Sequence, residues 1–127
     1  MMDWGKYKNF TVDEFKCSHC GANEMKPEYM DRLQQLRTAY NKPMQITSGY
    51  RCPKHPIEAA KPTPGPHSTG RAADVSVQGA DAHRLLQLAL EMGFTGIGVQ
   101  QKGSGRFLHL DDISNASGSP RPTVWSY

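Results

Sequence analysis

Two short apolar segments of this 127-residue chain each contain one side chain that does not suit burial. Asp74 interrupts the segment Ala72–Val77, and His109 interrupts the segment Phe107–Leu110. An unpaired carboxylate within an apolar strand costs several kcal/mol, and a bound cation would remove that cost. We therefore predict that both segments are β-strands and that the two interrupting side chains share a metal ion.

A second histidine stands close to Asp74 in the sequence. His67 is separated from Asp74 by Gly70 and Ala72, small residues that allow the backbone to turn so that the two side chains converge. With His109 they make two imidazoles and one carboxylate with an open fourth position, which is typical of catalytic zinc sites. Other divalent ions are the alternative to zinc. If no metal is bound, His67 and His109 are each an ordinary hydrogen-bonded loop or strand residue.

Asp111 follows His109 by two positions. Residues two apart on a strand face the same side, about 6.6 Å from each other. Asp111 is therefore predicted to be either a catalytic general base that takes a proton from zinc-activated water or a residue that orients a neighbouring ligand. Asp112 faces the opposite side and is the weaker candidate.

Glycine and proline are frequent in the chain. Twelve glycines and nine prolines favour a loop-rich α+β fold over a helical bundle. The length suits one hydrophobic core. We predict a single zinc-binding domain over 1–127, with N-terminal helices at 11–40, a metal-binding core at 44–113 and a C-terminal tail at 114–127.

Local patterns predict the position of each element. Thr11 and Glu14 form a capping box that predicts a short helix, and Pro27 begins a second helix. The proline-rich segment 52–66 is predicted to be irregular. Asp81 is predicted to cap a third helix. Strands are predicted at 44–49, 72–77, 96–99 and 106–111, the last two as a hairpin.

Charge and hydropathy restrict the classes of function. The formal net charge of +3 is modest, and no dense basic block accompanies it, so nucleic-acid binding is not predicted. No apolar run is long enough for membrane insertion. The N-terminus, Met1–Lys6, lacks the apolar region of a signal peptide, so we expect synthesis in the cytoplasm without a signal.

Three cysteines cannot all pair within one chain. Cys17, Cys20 and Cys52 are predicted to be reduced thiols near the core, or to form one disulfide after export. The third alternative is a closed structural site that adds His19 or His55 to the three thiolates.

Several separated motifs together resemble a known family. With Ser48–Pro53 beside the His67…Asp74 and Phe107–Asp111 motifs, the chain resembles the zinc D-alanyl-D-alanine carboxypeptidases of the peptidase M15 family, particularly the short phage and prophage members. The resemblance covers roughly residues 9 to 125. It also includes Asn9–Phe15, Cys17–Gly21, Gly96–Gly98, Arg121–Pro122 and Trp125.

The resemblance implies an α+β fold shared with hedgehog signalling domains, in which helices pack against a small antiparallel sheet. It implies that His67, Asp74 and His109 ligate Zn²⁺. Arg51 would receive the carboxylate of the substrate, and Ser48 of the same motif would contribute to substrate binding. A guanidinium suits a carboxylate because it donates two parallel hydrogen bonds. From the residue alone, the favoured interpretation of Arg51 is a surface arginine in a turn.

The implied reaction is hydrolysis of an amide bond in bacterial peptidoglycan stem peptides, of the D-Ala-D-Ala carboxypeptidase or endolysin type. Several subfamilies have an acidic residue three positions before the last ligand, where this chain has Arg106. Either Asp111 takes the base role, or the zinc-bound water reacts with weaker base assistance. The alternative is a catalytically weak, zinc-stabilised module that binds the cell wall or belongs to a virion. If phage-encoded, the protein would reach the wall at lysis or in the particle. We expect a monomer.

Overall fold

The computed structural model describes residues 2–115 and 119–127. Its elements are the helices α1 (Pro27–Tyr40), α2 (Pro56–Ala59) and α3 (Gly79–Glu91) and the strands β1 (Gln45–Ser48), β2 (Ala72–Ser76), β3 (Gly96–Gln100), β4 (Phe107–Asp111) and β5 (Thr123–Ser126). The strands form one five-stranded sheet in the order β1-β2-β4-β3-β5. Within the described ranges, no helix has the length and apolar character needed to span a bilayer.

The two faces of the central strands have different surroundings because successive side chains on a strand point in opposite directions. Val75 of β2 and Leu108 and Leu110 of β4 belong to the buried apolar cluster, together with Leu33 of α1 and Leu85 of α3. The side chains that alternate with them, including Asp74 and His109, therefore project from the opposite face of the sheet.

The C-terminal edge of the sheet differs from the prediction. The sequence predicts a tail over 114–127, but β5 pairs with β3 in parallel, so the predicted all-antiparallel sheet is wrong at this edge. The other three pairings are antiparallel. β5 lies in a segment rich in Ser, Gly and Pro, a composition that indicates a loop. Residues 116–118 of the predicted tail lie outside the described residues.

The proline-rich segment 52–66 also contains more regular secondary structure than predicted. It contains the single turn α2, in which Pro56 occupies the first helical position and needs no N–H donor there. A 3-10 turn over Pro66–Thr69 follows it and includes His67. Both turns lie next to the site described below.

Two of the three predicted helix starts have different outcomes, and the third, Pro27, begins α1 as predicted. The capping box is confirmed, because Glu14 accepts the Thr11 backbone N–H at 2.7 Å beside a short 3-10 helix over Val12–Phe15. The predicted Asp81 cap is wrong, because α3 begins at Gly79. The Asp81 carboxylate instead accepts a hydrogen bond from Lys42 Nζ at 2.7 Å.

Candidate metal centre

One row of residues crosses all five strands at the candidate metal centre. Strand pairing places in register, from one edge to the other, Ser48, Asp74, His109, Gly98 and Trp125. Residues directly opposite each other on neighbouring strands project from the same face. The register of the sheet therefore brings Asp74 and His109 together, although 35 positions separate them in the sequence.

His67 reaches the same place from the 3-10 turn that precedes β2. Its Nδ1 lies 2.8 Å from the Gly49 carbonyl oxygen, which can only accept, so Nδ1 carries the proton and Nε2 is available as a ligand. Gly70 ends the turn at φ +76°, and a Cβ at this position would overlap the Glu24 carbonyl. A glycine is therefore needed to return the chain into β2.

The three predicted ligands have separations that fit a tetrahedral zinc ion. Asp74 Oδ1 lies 3.3 Å from His67 Nε2 and 3.1 Å from His109 Nδ1. The three ligand atoms all lie within 4.8 Å of one another, and all three residues are buried. Nitrogen and oxygen ligands about 2.0–2.1 Å from zinc lie about 3.3 Å apart in a tetrahedral site. The donor set thus suits the ion in both chemistry and spacing.

The charged groups around the three candidate ligands compensate one another. Burial opposes the ionisation of Asp74, but the hydrogen bond from His109 and the nearby imidazole of His67 hold its pKa well below the usual range. Burial also opposes protonation of His109, but hydrogen bonds to Asp111 and Asp74 raise its pKa above the usual value. The two carboxylates thus favour positive charge beside them, which a bound cation would supply.

Asp111 lies behind His109 and does not face the cavity. Its Oδ2 is 2.7 Å from His109 Nε2, and its two oxygens accept hydrogen bonds from Arg121 Nε and Nη2 at 2.9 and 2.8 Å. The residue has 0% exposure, and a Cβ at Gly96 would overlap its carboxylate. A general base must reach the water that it deprotonates. The geometry therefore favours the orienting role of Asp111 over the general-base role.

A cavity of about 450 Å³ opens onto the three candidate ligands. Its other lining residues are Arg51, Ile57, Lys61, Pro66, Phe107, Trp125 and Tyr127. Trp125 packs with its ring centroid 5.0 Å from that of His109. A Cβ at Gly98 would lie 2.8 Å from both Trp125 Nε1 and Tyr127 Oη, so this glycine allows the C-terminal aromatic residues to form one wall.

Arg51, the predicted carboxylate-binding residue, lies at the edge of the cavity. Its Nη2 is 3.8 Å from Asp74 Oδ2, and its Nη1 donates to Glu58 Oε2 at 3.3 Å. Glu58 is fully buried, and it also accepts the Gly65 N–H at 2.6 Å and pairs with Lys61 at 3.2 Å. A buried carboxylate on α2 thus holds the guanidinium in place at the cavity wall.

Ser48 lies near the candidate ligands, as do four residues for which the sequence predicts no role. Ser48 is half-buried next to Asp74 in the row, but it is not among the residues that line the cavity. Arg121 and Trp125 belong to the motif resemblance without an assigned role. Glu58 and Tyr127 were not predicted at all. The only available signal was one arginine and two aromatic residues within a tail otherwise rich in Ser, Gly and Pro.

Comparison with known proteins places this geometry in a family. The family model of Peptidase M15 matches residues 7–111, which include the three candidate ligands, and ends before β5. No curated protein matches the chain. The matched region makes up most of the sequence and contains a donor set suited to zinc, so the chain belongs to the peptidase M15 family of zinc-dependent metallopeptidases.

Proposed function

We propose that this protein is a zinc peptidase that hydrolyses an amide bond in bacterial peptidoglycan stem peptides. The observation that supports this proposal is that the three candidate ligands face a cavity. His67, Asp74 and His109 converge at the end of a cavity whose wall also contains two cationic side chains, Arg51 and Lys61. A peptide with a free carboxylate matches this combination of a metal centre and neighbouring positive charge.

The walls of the cavity suit a short peptide end. Arg51 and Lys61 provide positive charge on one side, and Phe107, Trp125 and Ile57 provide apolar surface. A terminal D-Ala-D-Ala unit has one carboxylate and two small methyl groups, so it matches both kinds of wall. Arg51 would bind the carboxylate through two parallel hydrogen bonds, which would fix the scissile amide relative to the donor set.

Each residue around the centre would have a defined task. His67, Asp74 and His109 would hold zinc, which when bound supplies a Lewis acid that activates water and polarises a carbonyl. Asp111 would keep His109 oriented through Nε2. Burial raises the pKa of the Tyr127 hydroxyl, which therefore stays protonated at neutral pH and can donate a hydrogen bond to the substrate.

A second candidate function is a catalytically weak, zinc-stabilised module that binds the cell wall or belongs to a virion. One observation favours it. Among the described residues that line the cavity, Asp74 is the only carboxylate, and Asp111 is enclosed behind His109. A centre without a carboxylate base would depend on weaker proton transfer, for example to solvent.

Mass spectrometry of peptidoglycan fragments tests the proposed function. Purified peptidoglycan and a synthetic pentapeptide ending in D-Ala-D-Ala would be incubated with zinc-loaded protein and with chelated protein. We expect cleavage only with zinc and its recovery after zinc is restored. His109→Ala should be inactive, and His83→Ala, which changes an exposed histidine on α3, is the matched control.

The products identify the bond and distinguish the two functions. Free D-alanine indicates a carboxypeptidase, whereas cuts at cross-links or between L-Ala and D-Glu indicate an endopeptidase of the endolysin type. Zinc-loaded protein that sediments with peptidoglycan but releases no fragment would support the binding module instead. Loss of that sedimentation in the chelated protein would show that wall binding depends on the metal.

A further inference from the structure

Three cysteines form a second cluster between the loop that precedes α1 and the segment that follows β1. Cys17, Cys20 and Cys52 are free thiols, and their sulfur atoms lie within 4.8 Å of one another. None of the three lines the cavity at the candidate metal centre. Their convergence is therefore not explained by peptide hydrolysis.

The turn that contains the first two cysteines favours a thiolate. Gly21 follows the second cysteine at φ +78° and donates its N–H to the Cys17 carbonyl at 2.8 Å. The Cys52 N–H donates to Cys17 Sγ at 3.3 Å. This backbone N–H places partial positive charge beside the Cys17 sulfur and so stabilises its thiolate. The thiolate is the form that binds metals.

The positions of the sulfur atoms suit one zinc ion. At a Zn–S distance of about 2.3 Å, tetrahedral ligands lie about 3.8 Å apart, so sulfurs already within 4.8 Å have to approach by about 1 Å at most. Thiolates select zinc over magnesium or calcium because they are soft ligands. A single disulfide would leave the third thiol of this cluster without a role.

His55 is the neighbouring side chain that best completes the set. Cys52 and His55 have the same two-residue spacing as Cys17 and Cys20, which is the spacing of zinc-binding pairs. His55 Nε2 lies 3.1 Å from the hydroxyl of Ser18, inside the first pair, and its Nδ1 accepts a backbone N–H of α2. The imidazole has to release one of these contacts to become a ligand.

We infer that Cys17, Cys20 and Cys52 bind a structural zinc ion, with His55 as the fourth ligand. Four protein ligands leave no position for a substrate, so this site stabilises the fold and takes no part in hydrolysis. It joins the N-terminal turn to the residue that directly follows Arg51. Zinc at the cysteine cluster thus fixes the backbone beside the carboxylate-binding guanidinium.

Metal analysis of variants separates the two sites. The full chain would be expressed with added zinc and purified with a reductant. We expect the wild type to hold two zinc equivalents, and His109→Ala and Cys20→Ser one each. After cobalt exchange, a sulfur-to-cobalt charge-transfer band should appear in His109→Ala and be absent from Cys20→Ser. Cys20 is exposed, so its replacement disturbs no packing; Cys52→Ser is the second variant.

Alkylation provides an independent test because an exposed free thiol reacts rapidly. We expect Cys20 of the zinc-loaded His109→Ala variant to be protected until a chelator is added. Rapid alkylation of Cys20 in that sample, a missing cobalt–thiolate band, or a disulfide among the three cysteines would overturn the inference. His55→Ala should lose zinc from the cluster more readily than His19→Ala, and equal retention would exclude His55 as the fourth ligand.

Discussion

Two arginine–carboxylate pairs flank the candidate metal centre, and they differ in how completely each is closed. Arg121 contacts both oxygens of Asp111, and its side chain is 6% exposed. Arg51 contacts Glu58 through one hydrogen bond of 3.3 Å, and its side chain is 17% exposed at the cavity wall. The first pair is saturated, whereas the second leaves guanidinium N–H groups available to a ligand.

The difference follows from where each pair lies in the fold. Asp111 is on β4, so its position relative to His109 is fixed by the sheet. Arg51 follows β1 in a loop, and its partner Glu58 lies on the single turn α2. A rigid strand suits a residue that orients a metal ligand, and a loop beside a cavity suits a residue that meets substrate.

The largest effect is expected at Asp74, which lies next to the other two candidate ligands and Arg51. Asp74→Asn keeps the shape of the side chain but removes the charge that faces His67, His109 and Arg51. We expect loss of zinc from this centre and a fall in peptide hydrolysis beyond the about 100-fold that supporting residues cause. Zinc content and turnover should be measured against Asp81→Asn as control. Full zinc retention in Asp74→Asn would contradict the assigned ligand set.

The Arg121–Asp111 pair should affect both zinc affinity and the stability of the fold. Arg121→Ala leaves the buried Asp111 carboxylate without its cation, so we expect a loss of about 3–5 kcal/mol in the free energy of unfolding. Asp111→Asn should weaken zinc affinity by about 10–100-fold. Urea unfolding and chelator competition measure the two effects. Unchanged zinc affinity with reduced turnover in Asp111→Asn would instead support Asp111 as the general base.

The Arg51–Glu58 pair should affect substrate binding without changing the zinc content. Arg51→Lys keeps the charge but loses the paired hydrogen bonds to a carboxylate, so we expect KM to rise about tenfold with little change in kcat. Steady-state kinetics on the pentapeptide, with zinc content measured in parallel, checks this. Arg84→Lys, on the exposed side of α3, is the control. An unchanged KM would show that Arg51 does not contact the substrate carboxylate.

The candidate ligands could be proposed from the sequence because two of them break a local rule. Asp74 and His109 interrupt apolar strands, His67 precedes a glycine turn, and the motif resemblance joins all three. The environment of Asp111 was not predictable in the same way. Whether it faces water or lies behind His109 depends on Arg121. This arginine and β5, the strand that follows it, lie in a tail whose Ser, Gly and Pro content indicates a loop.

Glu58 shows a different limit. Its role depends on contacts with Arg51, Lys61 and Gly65, which come together only because α2 forms within a proline-rich segment. A single helical turn contains too few residues for an apolar periodicity. The sequence thus indicates the chemistry of the centre, and tertiary contacts determine which carboxylate each arginine holds.

The smallest effect concerns the acid stability of the metal-free protein. Burial opposes ionisation of Asp111, but hydrogen bonds from His109 and Arg121 place its folded pKa below the usual value of 3.8. A carboxylate with a lowered folded pKa stabilises the protein above its unfolded pKa, and this stability is lost as pH falls through the folded value.

Chelated Asp111→Asn should therefore lose less stability than chelated wild type between about pH 5 and pH 2. The Glu58 carboxylate also has a lowered pKa, so Glu58→Gln should reduce the pH dependence of stability over the same range. Urea titrations at each pH measure the free energy of unfolding of both variants. An unchanged dependence on pH in Asp111→Asn would show that acid does not destabilise the protein through the Arg121–Asp111 pair.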